Sequence, residues 1–212
     1  MALATENKLA GLEWAAGIPG TVGGAIYGNA GAFGKSIGDA VKSVEVLDVK
    51  NLKTKKLKNK DCKFGYRNSM FKQKKNQSTK QSFVLGRAHK IMCSDLVILS
   101  VEIRLKKGKK IEIEKKIKEY LEHRKETQPL NFSSAGSIFK NPSGFSAGEL
   151  IEQCGLKGKI VGRAKISEKH ANFIVNLGGA KAKDVMKLIN LAKSKVKKKF
   201  GIELEEEIQY LN

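Results

Sequence analysis

The chain has 212 residues, of which 41% are hydrophobic, and a formal net charge of +20. Its length and hydrophobic content exclude a largely disordered protein and leave room for one or two domains with a proper core. No apolar run approaches the ~20 residues of a membrane span, and the N-terminus has no charged or apolar signal region, so we expect no membrane insertion.

The charge comes mainly from lysine, which supplies 36 of the 41 basic residues. Reading base edges and clamping phosphates favour arginine, and stacking on bases needs exposed aromatic residues, which make up only 7% of the chain. A solvated lysine surface is therefore the preferred interpretation, and we expect no nucleic-acid partner. The alternative, a nucleic-acid-binding patch, predicts an affinity that falls steeply with salt.

Cysteine and histidine positions bear on the compartment and on metal binding. Cys62, Cys93 and Cys154 are widely spaced and form no C-x-x-C pair, which favours free thiols in a reducing cytoplasm over a disulfide framework. The three histidines have no neighbouring ligands at the spacing of a metal site. The sequence therefore predicts a cytoplasmic protein without a bound metal.

The first predicted element is a glycine-rich segment, in which seven of the 21 glycines fall between residues 17 and 34. We expect a buried, tightly turned loop whose N–H groups face a flat or anionic ligand. A set of tight turns without a ligand is an equal alternative. A phosphate loop is a weaker one, because Asn29 stands where the motif ending in Gly34, Lys35 and Ser36 needs glycine.

The rest of the first half reads as strands. Residues 41–48 alternate apolar and polar side chains, which predicts a half-buried strand, and a lysine-rich hairpin follows. Residues 73–81 are polar and predict a surface loop, whereas residues 96–105 predict a second strand that is buried at its start. The basic run at residues 106–109 is the expected boundary between the two halves.

Three helices are predicted in the second half, lying on one face of a small sheet. The first is amphipathic and must end before Pro129. A capping box at Ser146 opens the second, which Gly155 stops. The third covers residues 184–200 and is stopped by Gly201.

Residues 171–177 and 202–211 predict strands of that sheet, and residues 133–142 predict a turn that offers hydroxyls, a cation and an amide. Taken one at a time, the polar residues of this half have plain explanations. Ser137 suits a turn, and the glutamates at residues 205–207 suit a solvated edge that discourages strand pairing. Arg67 in the first half suits a surface cation.

Four segments in this order closely resemble the UDP-N-acetylenolpyruvoylglucosamine reductase (MurB) family, flavoenzymes of peptidoglycan precursor synthesis. They are residues 11–25 (GLEWAAGIPGTVGGA), 65–69 (GYRNS), 135–142 (AGSIFKNP) and 167–176 (SEKHANFIVN). The resemblance runs from about residue 3 to residue 212, and only residues 73–95 depart from it.

The resemblance implies an α+β fold. Residues 1–107 would form a partial vanillyl-alcohol-oxidase/PCMH-type FAD-binding domain that lacks its N-terminal subdomain, and residues 108–212 a MurB C-terminal α+β substrate-binding domain. It implies FAD as cofactor and NADPH as co-substrate. The reaction would be the reduction of UDP-N-acetylglucosamine enolpyruvate to UDP-N-acetylmuramate.

The resemblance also implies roles for single residues. Ser137 matches the general acid, and Arg67 and Glu207 match the other two catalytic residues. The flavin would be held by eight residues: Gly17, Pro19, Gly20, Thr21, Gly23, Gly24, Asn29 and Gly31. The substrate would be held by four: Tyr66, Lys140, Asn141 and His170.

Family members carry a further small domain upstream, whose own glycine loop holds the FAD pyrophosphate, whereas this chain begins just ahead of residue 11. We therefore expect that the chain alone binds FAD weakly or not at all and that a missing N-terminal fragment is its partner. A shortened gene product, an incomplete gene sequence and half of a split enzyme all remain open. The alternative function is a non-catalytic remnant that binds anions or UDP-sugars.

Overall fold

The computed structural model describes residues 1–72 and 95–210. The chain forms two compact units, Met1–Leu121 and Glu122–Asn212, and each has its own buried apolar core. The predicted surface loop at residues 73–81 lies outside the described residues, as does most of the segment that departs from the family pattern.

The first unit combines short helices with small antiparallel sheets. In chain order its elements are α1 (Ala2–Glu6), β1 (Leu9–Ala10), α2 (Val22–Gly28), β2 (Gly31–Ala32), β3 (Lys35–Ser36), β4 (Val41–Asp48), β5 (Lys53–Lys58), β6 (Leu96–Ile103), β7 (Lys106–Lys107) and α3 (Lys110–Thr127), the last of which runs past residue 121. The sheets pair β1 with β7, β2 with β3, and β4 with both β5 and β6.

β4 is the central strand of the largest sheet in this unit. Val44 lies opposite Leu57 of β5 and Val101 of β6, and both Val44 and Val46 are fully buried. They pack in the core with Trp14 and other apolar side chains. The strand predicted at residues 41–48 from alternating polarity is therefore confirmed.

β6 differs from its prediction, because it is not buried at its start. The side chains of Val97 and Leu99 are 41% and 50% exposed, whereas Leu96 and Ile98 pack against the core. β6 lies at one edge of its three-stranded sheet, and one face of that sheet meets solvent. Because one face of the sheet is solvated, successive side chains of β6 point alternately to the core and to solvent, even though all of them are apolar at the start of the strand.

The glycine-rich segment also differs from its prediction, since it is neither a buried loop nor free of regular structure. It contains α2, a helix of seven residues, and residues 17–22 just before and at its start are exposed. The Thr21 hydroxyl accepts the Gly24 N–H at 3.1 Å and so caps the helix. Ile26 is fully buried and fixes the helix to the core.

The second unit is built on a four-stranded antiparallel sheet. Its elements are β8 (Ser133–Ser137), α4 (Ala147–Gln153), β9 (Ile160–Val161), β10 (Ala164–Ile166), β11 (Phe173–Asn176) and α5 (Ala182–Phe200). The strand order is β8-β11-β10-β9. α5 contacts β9, β10 and α4, and its buried side chains close the core of this unit.

The helices of this half follow their end signals in the sequence. α3 ends before Pro129, and Ser146 caps α4 by accepting the Glu149 N–H at 3.3 Å. Gly155 and Gly201 have φ of +68° and +72°, the left-handed conformation that ends helices and favours glycine. These helix predictions are confirmed, with starts or ends shifted by a few residues.

Two predictions for the backbone near the sheet edge are wrong. Residues 133–137 form β8 and not a turn, although serine, alanine and glycine give this strand no apolar pattern. Residues 202–210 form no strand, and only an isolated bridge joins Phe139 to Glu206. The segment meets the chain after β8 through two backbone bonds, from the Lys140 N–H to the Glu205 carbonyl and from the Glu207 N–H to the Ile138 carbonyl, and this pairing is too short to count as a strand.

Candidate functional site

An apolar cleft of about 700 Å³ opens along the glycine-rich segment of the first unit. Trp14, Ile37 and Ile103 contribute to its walls. Five residues that the sequence assigns to flavin binding line it: Gly17, Pro19, Gly20, Thr21 and Gly24.

The backbone beside the cleft leaves room for a close approach. Gly17 and Gly20 have φ of +78° and +141°, values that other residues rarely adopt. A Cβ added at Gly20 or Gly23 would meet no atom within 4 Å. The first N–H groups of α2 have no acceptor within their own helix. The segment therefore fits a flat ligand that lies against an open glycine backbone.

Asn29 and Gly31, also assigned to the flavin, have internal contacts. Asn29 is buried, donates from Nδ2 to the Gly65 carbonyl at 2.8 Å, and accepts the Gly38 N–H on Oδ1 at 2.9 Å. A Cβ at Gly31 would lie 2.5 Å from the carbonyl oxygen of Lys35. Both positions thus have structural requirements of their own, and their contact with flavin stays a prediction.

Arg67 lies on a tight turn. The backbones of Gly65 and Asn68 bond to each other at 2.9 and 3.1 Å, which leaves Tyr66 and Arg67 at the tip. Arg67 has φ of +50°, and its guanidinium carbon lies 5.4 Å from the centre of the Tyr66 ring. Tyr66 is exposed, whereas Arg67 is half-buried. The arginine is therefore held in place and is not a freely solvated surface cation.

In the second unit, Ser137 is the last residue of β8 and pairs with Phe173 of β11. The two residues after it, Ile138 and Phe139, are buried, and Lys140 follows. Ser137 itself is half-buried. The backbone that carries the Ser137 hydroxyl is fixed by pairing with β11, and the side chain is partly accessible to solvent.

The C-terminal segment that carries Glu207 lies directly beside this strand. The Glu207 N–H donates to the Ile138 carbonyl at 2.8 Å, and the Lys140 N–H donates to the Glu205 carbonyl at 2.8 Å. The structure therefore brings the backbone of Glu207 next to the residue that follows Ser137.

Glu205 and Glu206, two neighbouring residues of the C-terminal segment, are each paired with a lysine. Glu205 pairs with the Lys140 ammonium, and Glu206 pairs with Lys193 at 2.8 Å and accepts the Tyr210 hydroxyl at 2.5 Å. Burial raises the pKa of Glu206, but the hydrogen bonds from Lys193 and Tyr210 outweigh this effect and hold the pKa below its usual value. Glu205 and Glu206 thus both have partners within the second unit.

Lys140 and Asn141, both assigned to the substrate, already have partners in the second unit. The Lys140 side chain is only 20% exposed and is paired with Glu205. The Asn141 Oδ1 accepts the Ala147 N–H at 3.1 Å, at the start of α4. A ligand held by Lys140 would therefore compete with Glu205 for the ammonium group.

His170 lies in the turn before β11. Its Nδ1 accepts the Asn172 N–H at 3.2 Å, and its ring packs on Phe173 with centres 4.8 Å apart. The ring also lies close to Gly148 of α4. Burial lowers the pKa of His170, which favours the neutral ring. This packing suits a structural role, and the role in substrate binding stays a prediction.

Asn172 was not singled out from the sequence, although it lies in one of the four family-like segments. It is 3% exposed, and its side chain makes two hydrogen bonds to the backbone of Phe139, at 2.9 and 2.8 Å. The available signal was a single asparagine among the apolar residues that open a predicted strand. Such a residue is either unsatisfied or bound to nearby backbone.

Across residues 1–72 and 95–210, no three histidine, cysteine, aspartate or glutamate side chains lie together as a metal site requires. No helix there has the length and apolar character needed to cross a membrane.

Two family descriptions match parts of the chain. Residues 128–211 match the C-terminal domain of UDP-N-acetylenolpyruvoylglucosamine reductase, and residues 1–54 match an FAD binding domain. The expected order of an FAD-binding domain followed by a MurB-type α+β domain is confirmed.

Whole-chain comparisons agree with these matches. The chain is 47% identical over 205 residues to the UDP-N-acetylenolpyruvoylglucosamine reductase of Thermotoga maritima, covering 96% of this chain and 64% of the relative. It is 48% identical over 208 residues to the enzyme of that name from Caldicellulosiruptor bescii, covering 98% of this chain and 60% of the relative.

A solved structure gives the same result. The crystal structure of UDP-N-acetylenolpyruvylglucosamine reductase (MurB) from Thermus caldophilus matches with a TM-score of 0.77 and 37% identity, over 98% of this chain and 66% of that one. The chain spans 60–64% of the length of the two curated relatives above. It belongs to the UDP-N-acetylenolpyruvoylglucosamine reductase family.

Proposed function

We propose that the chain reduces UDP-N-acetylglucosamine enolpyruvate to UDP-N-acetylmuramate, with FAD as cofactor and NADPH as co-substrate, in peptidoglycan precursor synthesis. The observation that carries the proposal is the pairing of the backbone after Ser137 with the backbone of Glu207 in the second unit. The names of relatives that are 47% and 48% identical to this chain support it.

Residues 17–24 would hold FAD in the first unit, where an apolar cleft and an open glycine backbone suit a flat ring. Bound FAD would supply hydride transfer from NADPH to the vinyl carbon of the substrate. The apolar walls of the cleft would exclude water from that ring.

Ser137 would donate its hydroxyl proton from Oγ to the carbon next to the one that receives hydride. That carbon becomes part of an enolate conjugated to the substrate carboxylate. An enolate is basic enough to take a proton even from a serine hydroxyl, which would fail as an acid towards a weaker base. The fixed backbone on both sides of Ser137 would keep Oγ in one direction.

Arg67 and Glu207 would complete the catalytic set. The guanidinium of Arg67, held on its turn, would stabilise negative charge that develops on the substrate. Glu207 would provide a polar partner whose backbone is bound to Ile138. Loss of one preorganised donor of this kind typically costs roughly 10²–10³ in turnover.

The substrate would be held by Tyr66, Lys140, Asn141 and His170. An ammonium group is a point charge suited to phosphate, so Lys140 would release Glu205 and contact the diphosphate. His170, with Nδ1 occupied by the Asn172 N–H, would offer its other ring nitrogen.

Steady-state NADPH oxidation by the full chain with added FAD, with the N-terminal part of a longer relative supplied alongside it, tests the proposal. We expect oxidation that depends on UDP-N-acetylglucosamine enolpyruvate and falls at least roughly 10²-fold in Ser137→Ala. Ser134→Ala is the matched control, because Ser134 lies on the same strand and is exposed. Equal rates in Ser137→Ala and the wild type would remove the assigned acid. Binding of UDP-sugar without substrate-dependent oxidation would support the non-catalytic alternative instead.

A further inference from the structure

We propose that Asn172 is the positioning residue that fixes the backbone carrying Ser137. The inference rests on the proposed role of Ser137 and adds a residue that does not contact the reacting atoms. Its basis is a set of hydrogen bonds within the second unit, in which an asparagine side chain replaces one rung of a β-sheet.

The ladder between β8 and β11 is irregular at this point. Phe173 pairs with Ser137 and Val175 pairs with Ser134, so the register shifts between them. Beyond Ser137 the two strands separate. The Ile138 N–H still reaches the Asn172 carbonyl at 2.8 Å, but the next peptide has no strand opposite it.

The Asn172 side chain takes the place of that missing strand. Its Oδ1 accepts the Phe139 N–H at 2.9 Å, and its Nδ2 donates to the Phe139 carbonyl at 2.8 Å. Asn172 and Phe139 are 3% and 2% exposed, so water cannot substitute for either bond. A buried N–H and C=O of the main chain thus both depend on one amide group.

The same short segment is bound from its other side. The Ile138 carbonyl accepts the Glu207 N–H, and the Lys140 N–H donates to Glu205, each at 2.8 Å. Asn172 itself is fixed by its N–H, which donates to His170. Residues 138–140 are therefore hydrogen-bonded on both edges. Because Ser137 is joined directly to this segment, the position of the segment sets the orientation of the Ser137 backbone.

The asparagine amide carries a donor and an acceptor on one planar group, so it can satisfy both the N–H and the C=O of Phe139. Leucine matches asparagine in shape but leaves the Phe139 N–H and C=O buried without partners, so the segment must move to find new ones. Displacement of a reacting group by about 1 Å can cost roughly 10² in rate. We expect Asn172→Leu to lower kcat by roughly 10- to 100-fold and to change KM much less.

Asn172→Asp separates positioning from general damage. An ionised aspartate accepts the Phe139 N–H but sets a second oxygen against the Phe139 carbonyl. The protonated acid has one donor and one acceptor, as the amide does. Burial keeps such a carboxyl protonated to higher pH. We therefore expect kcat of Asn172→Asp to recover relative to wild type as the pH falls.

The test has two readouts on the full chain. The first is the pH profile of kcat and KM with added FAD. The second is amide hydrogen exchange of the peptide containing Phe139, measured without any ligand. We expect exchange there to accelerate by roughly tenfold or more in Asn172→Leu and to slow again in Asn172→Asp at low pH. Asn176→Leu and Asn176→Asp are matched controls, since Asn176 is an exposed asparagine at the end of β11 whose Oδ1 accepts the Gly178 and Ala180 N–H groups.

The experiment distinguishes failure of the Asn172 proposal from failure of the proposed reductase function. If the wild type oxidises no NADPH, the proposed function fails, while exchange at Phe139 still decides whether Asn172 fixes the segment. If Asn172→Leu does not fold, Asn172→Asp across pH decides. Unchanged exchange at Phe139 in both variants, or an Asn172→Asp profile parallel to wild type, would overturn the proposal.

Discussion

The guanidinium of Arg67 lies against the backbone of Gly31, so closely that a Cβ at position 31 would sit 3.2 Å from Nη1. The same Cβ would meet the Lys35 carbonyl oxygen at 2.5 Å. The glycine at 31 is thus required by the hairpin of β2 and β3 and by the arginine turn. Within the first unit, the glycine-rich segment and the turn that carries Arg67 form one packed arrangement.

Gly31→Ala should therefore displace Arg67 as well as open the hairpin. A contact at this distance from backbone forces atoms to move, and we expect a loss of about 1–3 kcal/mol in unfolding free energy. Displacement of the guanidinium should lower kcat by roughly 10²-fold. Gly28→Ala is the control, since a Cβ there meets nothing within 4 Å. A Gly31→Ala protein with wild-type kcat and stability would contradict the assignment.

Asn29 supports the same turn through a side chain. It joins the Gly38 N–H to the Gly65 carbonyl and has a left-handed backbone, with φ of +45°. Asn29→Ala leaves the buried Gly38 N–H and the Gly65 carbonyl without this partner, and we expect the unfolding free energy to fall by about 1–3 kcal/mol. Denaturant unfolding measures it, and Asn7→Ala, an exposed amide that bonds to Leu3, should shift by less than about 0.5 kcal/mol. Equal midpoints for the two variants would be evidence against this role.

Cys62 should resist alkylation in the folded protein. It is fully buried, and burial, together with the charge of Asp61, raises its pKa from 9.0 to about 11. The thiolate is the reactive form, so iodoacetamide at about pH 8 should leave Cys62 unmodified until the chain unfolds. Peptide mass spectrometry measures this, with the partly exposed Cys154 as internal comparison. Modification of Cys62 as fast as Cys154 in native protein would contradict its burial.

The same thiol makes a signed contribution to stability. Since its pKa is higher in the folded state, the contribution is complete below pH 9.0 and is lost as the pH rises to about 11. The loss should reach at most about 2–3 kcal/mol. Lysines also titrate in this range, so the measurement is the difference in pH slope between wild type and Cys62→Ala. Parallel slopes would show that Cys62 titrates normally.

The contribution of His170 to the unfolding free energy should change with pH in the opposite sense to that of Cys62. Burial lowers its pKa, so the unfolded chain takes up the proton more readily than the folded one. Stability from this group is therefore present above its ordinary pKa of 6.5 and is lost as the pH falls below that value. Unfolding of His170→Gln should depend less on pH in this range than unfolding of the wild type. His123→Gln, at an exposed position on α3, is the control and should follow the wild type.

Much of the fold was readable from short-range signals. Ser146, Gly155 and Gly201 marked helix ends because capping is decided within a few residues. β4 was readable because polar residues separate three valines, Val41, Val44 and Val46, and all three are buried. By contrast, β8 could not be predicted, since its serine and glycine residues form a strand only because β11 lies beside them.

For the candidate site, the sequence predicted which residues take part but not the contacts between them. The family resemblance pointed to Ser137 and Glu207, but the contacts that arrange them join distant parts of the chain. Asn172 bonds to Phe139 across 33 residues, and the Lys140 pair with Glu205 spans 65. No local pattern encodes such pairs, because each partner is satisfied by backbone or charge that arrives only on folding.

The lysines of β5 oppose the association of one copy of this chain with another. β5 lies at an edge of its sheet, four of its six residues are lysine, and all four are exposed. An uncovered strand edge is a template on which a second copy can add, and ammonium groups spaced along it oppose that addition. The basic composition thus acts against self-association of concentrated protein. Its protection should weaken as salt shortens the reach of those charges.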